Sequence, residues 1–545
     1  MLSDLAGAIR RRVPGAGLIG SSCVPGIAST VAERALGFVE SADVLRSAGL
    51  LVPPTPGALF GGLDAVRRYG MSFGTAVALG AARFGDRIAI IDDAGTMSYA
   101  ELEAATNGLA AAWSAAGVGS GSRVGIMARN GRSFVLAVVT AAKLGADALL
   151  LNTSFSAPQA REVLEREGAD AVVVDPDLES VVGKAWDRLS VTRWDAAGSP
   201  PPPGRVGRQV ILTSGTTGTP KGARRDSAGS LGALVALLSR VPLRAGETTV
   251  ITTPTFHAWG FAHVSIGLVL GSTMVLRAKF DPRRALEDIS ALRATTLVAV
   301  PVILQRLLDI APDDRGDTSS LRVVACSGSA LPGHLATRFM DEFGEVLYNL
   351  YGSTEVAWAT IAGPEGIRLV PGTAGRPPSG TIVKILDADG IEVPPGTTGR
   401  IFVGNDMAFE GYTGGGDKER VGNLLSTGDL GHWDWSEQLA VEGREDDMIV
   451  SGGENIFPGE VEDVLAKHPK IADAAVVGVE DDKFGQALVA FVVARAKLTQ
   501  DEVRRYVKGE LASFKAPRRV EFVDELPRNA TGKVLRRELK ERAQA

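Results

Sequence analysis

Between residues 87 and 326 of the 545-residue chain, short apolar runs rich in β-branched side chains alternate with longer segments whose apolar positions recur every three or four residues. Runs at 87–91, 123–127, 148–151, 171–174, 210–213, 248–252, 272–276, 296–300 and 321–326 have strand length and near-continuous hydrophobicity, the pattern of strands covered on both faces. Segments 99–116 and 133–144 carry the helical period instead. Strands alternating with helices predict α/β layers around largely parallel sheets. Beyond about residue 380 the texture changes, and Gly/Pro-rich turns separate short strands at 382–386, 399–403 and 438–442, which predicts a β-rich subdomain. The last hundred or so residues predict a small α+β domain: helices at 458–467 and 499–511, strands at 472–479 and 487–493, and a basic tail.

Punctuation residues divide the chain. Pro53, Pro54, Pro56 and the Gly61-Gly62 pair read as linker-like, placing a boundary near Gly70. The expected division is an extension over 1–70, a large domain over 71–442, a joint over 443–447 and a small C-terminal domain over 448–545. Within the extension, Arg10-Arg11-Arg12 precedes an uncharged run, 13–30, similar to the basic and apolar regions of an export signal. Pro14, Pro25 and the Gly/Ser content make it a poor one, so a soluble extension is favoured over a targeting or peripheral membrane-contacting segment. No stretch reaches the roughly 20 uninterrupted apolar residues of a membrane helix. The best interior candidate, 264–276, reads as buried core.

Composition narrows the function classes. With 45% hydrophobic and 22% charged residues the chain can bury a sizeable core, and 65 glycines imply many tight loops. A formal charge of -6, from 58 basic and 64 acidic residues, supplies no general attraction to nucleic acid. Cys23 and Cys326 are too few for a disulfide framework, and the five histidines show no metal-ligand spacing. A reducing, cytoplasmic protein without a zinc site is expected.

The sharpest local feature is Ile211-Leu212-Thr213-Ser214-Gly215-Thr216-Thr217-Gly218-Thr219-Pro220-Lys221-Gly222, a strand running into small hydroxyl and glycine residues closed by a lysine. Glycines let a backbone approach a ligand closely, and successive N–H and hydroxyl donors with a lysine suit a polyphosphate. It is not a Walker loop, because Pro220 and Gly222 flank Lys221 where that motif has Gly before and Ser or Thr after. Gly70-Met71-Ser72-Phe73-Gly74 matches the nucleophile-elbow spacing of α/β-hydrolases, but no strand pattern leads into it.

The Thr213 to Gly222 loop resembles the signature of the AMP-forming acyl-CoA synthetase and adenylating-enzyme family. Further motifs of that family occur in its order: Tyr351-Gly352-Ser353-Thr354-Glu355; Ser426-Thr427-Gly428-Asp429-Leu430; Gly443-Arg444-Glu445-Asp446-Asp447 with Ser451-Gly452-Gly453-Glu454-Asn455; and Pro527-Arg528-Asn529-Ala530-Thr531-Gly532-Lys533. The likeness spans about 72–538. Two departures stand out: Val450, where many relatives place a polar residue, and Arg224-Arg225-Asp226 after the phosphate loop.

The resemblance implies a set of roles. Thr213 to Gly218 and Lys221 would cradle phosphates, Glu355 would ligate Mg²⁺ with Thr354 beside it on the phosphates, Gly328-Ser329-Ala330 would receive the adenine, and Tyr351 and Gly352 would also line the nucleotide site. Asp429 would accept the ribose hydroxyls, Arg444 would grip ribose or phosphate, and Asp446 would be the hinge of a mobile small domain. Lys533 would bridge the carboxylate and the α-phosphate during adenylation, after which rotation would bring Gly452, Gly453 and Glu454 to the thiol site. His257 sits where relatives often carry a histidine or aromatic at the mouth of the acyl pocket. Trp259, Phe261 and Trp358 are candidate pocket walls or ordinary core. The implied reaction joins a fatty acid, ATP and coenzyme A with Mg²⁺; a carrier-protein acceptor and a catalytically lapsed binding module are the alternatives. The sequence leaves oligomeric state open, a homo-oligomer included, and likewise whether residues 1–70 touch a membrane.

Overall fold

The computed structural model describes residues 41–51, 56–193, 200–213, 221–225, 231–409, 411–413, 415, 417–451, 454–481, 484–530 and 532–544. An 8-stranded sheet runs in the order Ala357–Ala362, Leu347–Ser353, Val323–Cys326, Thr296–Ala299, Thr248–Ile251, Thr273–Leu276, Ile88–Asp92, Gly95–Ser98. Its interior pairs are parallel and its two outermost pairs antiparallel. A 6-stranded sheet, Asp187–Arg188, Ala171–Val174, Arg123–Met127, Asp147–Leu150, Gln209–Thr213 and Lys221–Arg225, is parallel except for its last pair. The near-continuous apolar runs are the central strands, as burial on both faces requires: Val323–Cys326 and Thr296–Ala299 are buried throughout. Helices such as Tyr99–Ala115, closed at its start by a reciprocal Ser98–Glu101 capping box, cover the sheets.

The predicted β-rich region is a 5-stranded antiparallel sheet of Ile382–Leu386, Gly399–Gly404, Leu424–Trp433, Arg420–Val421 and Leu439–Arg444. A further 5-stranded sheet holds the C-terminal residues, with Gly485–Ala494 at its centre and Ile471–Asp481 along one edge. One face packs helices Pro458–Ala466 and Gln500–Glu510 through Val461, Leu465, Val503 and Val507. Helix Arg536–Gln544 covers the other through Leu539 and Ala543, so part of the basic tail is an element of the core. Arg519–Phe522, which carries only one strongly apolar inward residue, Val520, forms a strand the periodicity did not reveal.

The stretch read as linker-like holds a 14-residue helix, Pro56–Tyr69. Its glycine pair serves close packing instead of a turn: a Cβ on Gly62 would lie 2.6 Å from Leu79 Cδ2 of the next helix, Phe73–Phe84. Ala65 and Tyr69 are buried, and Ala245 N–H donates to Ala48 C=O at 2.8 Å, so both Ala48 and this helix are packed onto the large domain. Ser72 caps the Phe73–Phe84 helix and is preceded by a helix, not a strand, which removes the hydrolase elbow. No helix among the described residues is long and apolar enough to cross a membrane.

Candidate active site

Strand register builds the centre of the site. Asp429 on Leu424–Trp433 pairs directly with Arg444 on Leu439–Arg444. The guanidinium reaches back to Asp429 Oδ1 at 3.4 Å and to the Thr427 carbonyl at 3.3 Å, and its Nε donates to Asp446 Oδ1 at 3.1 Å. Gly428 sits at φ 79°, and a Cβ there would press within 3.2 Å of that guanidinium, so the Gly-Asp order is dictated by space as well as by turn geometry. From the 8-stranded sheet, the Tyr351 hydroxyl donates to Asp429 Oδ2 at 2.6 Å. Burial raises Asp429 above the usual carboxylate range, while Tyr351, Arg444, Lys533 and Lys418 pull it back. Burial first, and then the neighbouring carboxylate, push the Tyr351 hydroxyl well up, so it stays a donor at neutral pH.

The turn that carries Lys533 belongs to the small domain. The lysine closes a tight hairpin in which Asn529 N–H donates to Lys533 C=O and Lys533 N–H donates to Asn529 Oδ1, both at 2.9 Å. Gly532, at φ 79°, lies against the large domain, where a Cβ would be 2.5 Å from Val302 Cγ1. Val300 is shared: it lies 3.8 Å from that Gly532 position through Cγ2 and 3.1 Å, through Cγ1, from a Cβ built on Gly328. The Gly328-Ser329-Ala330 loop, exposed beyond the end of strand Val323–Cys326, is therefore brought beside the lysine turn.

Glu355 follows strand Leu347–Ser353 in a turn held by Ser353 Oγ, which accepts from the backbone N–H of Glu355 at 3.2 Å and of Val356 at 3.3 Å. The turn ends at Ala357, a non-glycine residue at φ 58°. Thr354 is half-buried beside Glu355 and has partners of its own. Gly352 pairs with Trp358 just past the register shift that follows Tyr351. The Glu355 carboxylate accepts from the Tyr412 hydroxyl at 2.8 Å. Magnesium takes one or two carboxylates together with phosphate oxygens and water. One oriented carboxylate, in a chain whose described residues hold no cluster of three His, Cys, Asp or Glu able to bind a metal, fits an ion shared with a triphosphate better than an all-protein cage.

The aromatic candidates separate. Trp259 and Trp358 meet edge to face, ring centres 6.1 Å apart, each pinned by its indole N–H: Trp259 to the Ala299 carbonyl at 3.1 Å, Trp358 to that of Ala233 at 3.2 Å. Phe261 is not part of that pair; its ring packs against Phe73 and Phe134, and both Phe261 and Trp259 are buried in the large core. His257 caps helix Ala258–Leu270, its ring 4.5 Å from that of Phe256 and its Nε2 buried without a hydrogen-bond partner. Burial pushes its pKa down to about 4, so it is a neutral imidazole at pH 7 and no resident cation. His263, in the same helix, lies edge to face with Trp259 at 4.2 Å.

The phosphate loop is framed by the pairing of Thr213 with Lys221; Ser214, Gly215, Thr216, Thr217 and Gly218 lie outside the described residues, as do the side chains of Thr213 and Lys221. Gly452 and Gly453 lie outside them too. Glu454 is exposed and pairs with Ser451 in the small domain's own sheet. Asp446 lies in the short helical turn Glu445–Asp447 at the joint; Arg444 holds its carboxyl below the usual range although burial alone would raise it. Tyr412, Val300 and Val302 escaped sequence reading, because a lone tyrosine after glycine and two core valines carry no local signal of chemistry.

Comparison with known proteins identifies the family. The family described as "AMP-binding enzyme" matches residues 78–413, and "AMP-binding enzyme C-terminal domain" matches 460–533. A feruloyl-CoA synthase of Amycolatopsis sp is 32% identical over 82% of this chain and 94% of its own length. A fatty acid–[acyl-carrier-protein] ligase of Streptomyces coeruleorubidus is 30% identical over 83% of this chain and 93% of its own. Among solved structures, the o-succinylbenzoate CoA synthetase of Bacillus subtilis in complex with its acyl-adenylate superposes with a TM-score of 0.77 at 30% identity, covering 85% of this chain and 97% of that one.

Proposed function

Because the chain belongs to the AMP-binding enzyme family, we propose that it is a fatty-acid–CoA ligase that works through an acyl-adenylate. A substrate carboxylate attacks the α-phosphorus of ATP, pyrophosphate leaves, and the thiol of coenzyme A then attacks the acyl carbonyl and displaces AMP. The observation that carries the reading is the seating of the Gly532–Lys533 turn of the small domain against Val302 and Val300 of the large domain, which also holds the Asp429–Tyr351–Arg444 group. An ammonium there neutralises the charge that builds on carboxylate and phosphate oxygens as phosphorus becomes five-coordinate, a gain realised mainly in the transition state. Asp429 accepts from the ribose hydroxyls, Arg444 orients ribose or phosphate, and the Gly328-Ser329-Ala330 loop receives the base. Glu355 would hold Mg²⁺, whose chemistry there would be to neutralise charge on the leaving pyrophosphate.

Support for an apolar acyl group comes from the pinned Trp259–Trp358 pair and from the neutral state of His257. The relatives named above act on both aryl and fatty acids, so the substrate test sets a fatty-acid ladder against aryl acids. Turnover of aryl acids alone would overturn the fatty-acid assignment. The carrier-protein relative favours a second reading, in which the acyl group passes to a carrier thiol. Mass analysis separates the two: acyl-CoA and AMP formed with coenzyme A support the ligase, and acyl-AMP that persists despite coenzyme A supports the carrier. Peripheral membrane contact through the N-terminal region is supported by Phe60 and Leu63, exposed on helix Pro56–Tyr69. Liposome flotation should compare the intact chain with a Phe60→Ser, Leu63→Ser variant, because removal up to Gly70 would strip a packed helix. Equal flotation of the two would count against that contact.

A further inference from the structure

Tyr412 belongs to none of the recognised motifs, yet its segment holds Glu355 at two points. The Tyr412 hydroxyl donates to Glu355 Oε1 at 2.8 Å, and Phe409 N–H donates to the Glu355 carbonyl at 2.8 Å. The rings of Phe409 and Tyr412 meet edge to face at 4.9 Å, which fixes the direction of the phenol. On its other side the segment grips the strand that leaves the phosphate loop. Tyr412 bridges to Ala223, and Thr413 N–H donates to the Gly222 carbonyl at 2.8 Å. The Thr413 hydroxyl donates to Glu167 at 2.9 Å, a buried carboxylate also paired with Arg166. The approach is close enough to demand glycine at 222, where a Cβ would lie 2.7 Å from Thr413 Oγ1.

We propose that Tyr412 is a positioning residue: by holding one oxygen of Glu355 it sets how the carboxylate meets Mg²⁺, and through Thr413 it fixes the spacing between that carboxylate and the strand that leaves the phosphate loop. Groups behind a metal ligand act in this way by fixing ligand orientation, and their loss commonly weakens metal binding about 10- to 100-fold. The proposal deepens the ligase reading and rests on Glu355 as the metal ligand.

The test is Tyr412→Phe in the full chain, which removes the oxygen and keeps the ring against Phe409. Calorimetric titration with AMP, which lacks the β- and γ-phosphates a metal would bridge, counts the folded sites. ATP is then titrated at stepped Mg²⁺ with neither acid nor coenzyme A present. The expected result is unchanged AMP affinity and a Mg²⁺ requirement for ATP binding raised about 10-fold. In Glu355→Gln, adding Tyr412→Phe should raise that requirement no further. An unchanged requirement in Tyr412→Phe, or additive effects in the double variant, overturns the proposal. Metal dependence that survives Glu355→Gln overturns it too, by removing the ligand it rests on. Failure to adenylate any acid while the metal linkage behaves as expected tells against the ligase reading alone.

Discussion

Asp429 and Lys533, both proposed to meet the nucleotide, are held in different ways. Asp429 is locked within the large domain by register with Arg444, by the Tyr351 hydroxyl at 2.6 Å and by its own N–H bonded to Thr427 Oγ1 at 3.1 Å. Lys533 is exposed at the tip of a hairpin from another domain, where the glycine beside it rests on Val302. A group fixed in one rigid body suits binding, whereas a group delivered by a separable body suits a step that must be switched on and later off. The contrast predicts that loss of the first costs affinity and loss of the second costs rate.

The largest effect is expected from Lys533→Ala. Removing a donor that acts on developing transition-state charge costs on the order of 10²–10³ in rate. Pyrophosphate release should fall by that amount while ATP affinity, read by titration, stays within about a factor of two. Unchanged turnover would end the assignment of Lys533. Asp429→Asn comes next and should act on the other quantity. Charge-assisted hydrogen bonds contribute about 1.5–3 kcal/mol each, so ATP should bind roughly 10- to 100-fold more weakly. A variant that bound ATP normally and merely turned over slowly would erase the distinction between the two regions.

The sequence made one side of this contrast easier to read than the other. The central strands showed themselves because burial on both faces forces continuous apolar runs, and Asp429, Arg444 and Lys533 lie in ordered motifs that local chemistry can rationalise. What tied them together was not legible. Val300 touches both the Gly328 loop and the Gly532 turn, but in sequence it is one more core valine. Gly62 looked like punctuation because spacing alone cannot tell a turn glycine from one that makes room for Leu79. Phe261 and Trp259 lie two residues apart on one helix and are both buried in the core, and only the structure shows that one ring meets Phe73 and the other Trp358.

A smaller effect should result from Gly532→Ala, which leaves every charged group in place. The residue sits at φ 79° with its Cβ position 2.5 Å from Val302 Cγ1, so the methyl is strained in backbone and in contact. A left-handed conformation costs a non-glycine residue about 1–2 kcal/mol, roughly a tenfold loss of docked lysine turn. Adenylation should slow by about that factor. Thioester formation from pre-made acyl-AMP should be spared if the small domain moves between the two steps. Equal loss in both half-reactions would mean that the turn is rigidly part of one site, and the contrast would fail.

The smallest effect on catalysis, none at pH 7, is expected from His263→Phe, which tests the rigidity of the large domain instead. Burial pushes the His263 pKa down to about 4, against about 6.5 in an unfolded chain. Between those values the unfolded chain takes up a proton that the folded domain refuses, so stability is complete above about pH 6.5 and falls as pH drops toward 4. His257 is depressed for the same reason and adds to the slope. Phenylalanine keeps a ring against Trp259 and removes one titrating group. Urea unfolding of the large domain at pH 7, 5.5 and 4.5 should therefore lose less stability on acidification in His263→Phe than in the parent, with the C-terminal domain's own transition unmoved. An identical acid slope in both would show that the large domain opens enough at His263 to admit a proton, and Asp429 and Lys533 would then differ less in how firmly they are held than their contacts indicate.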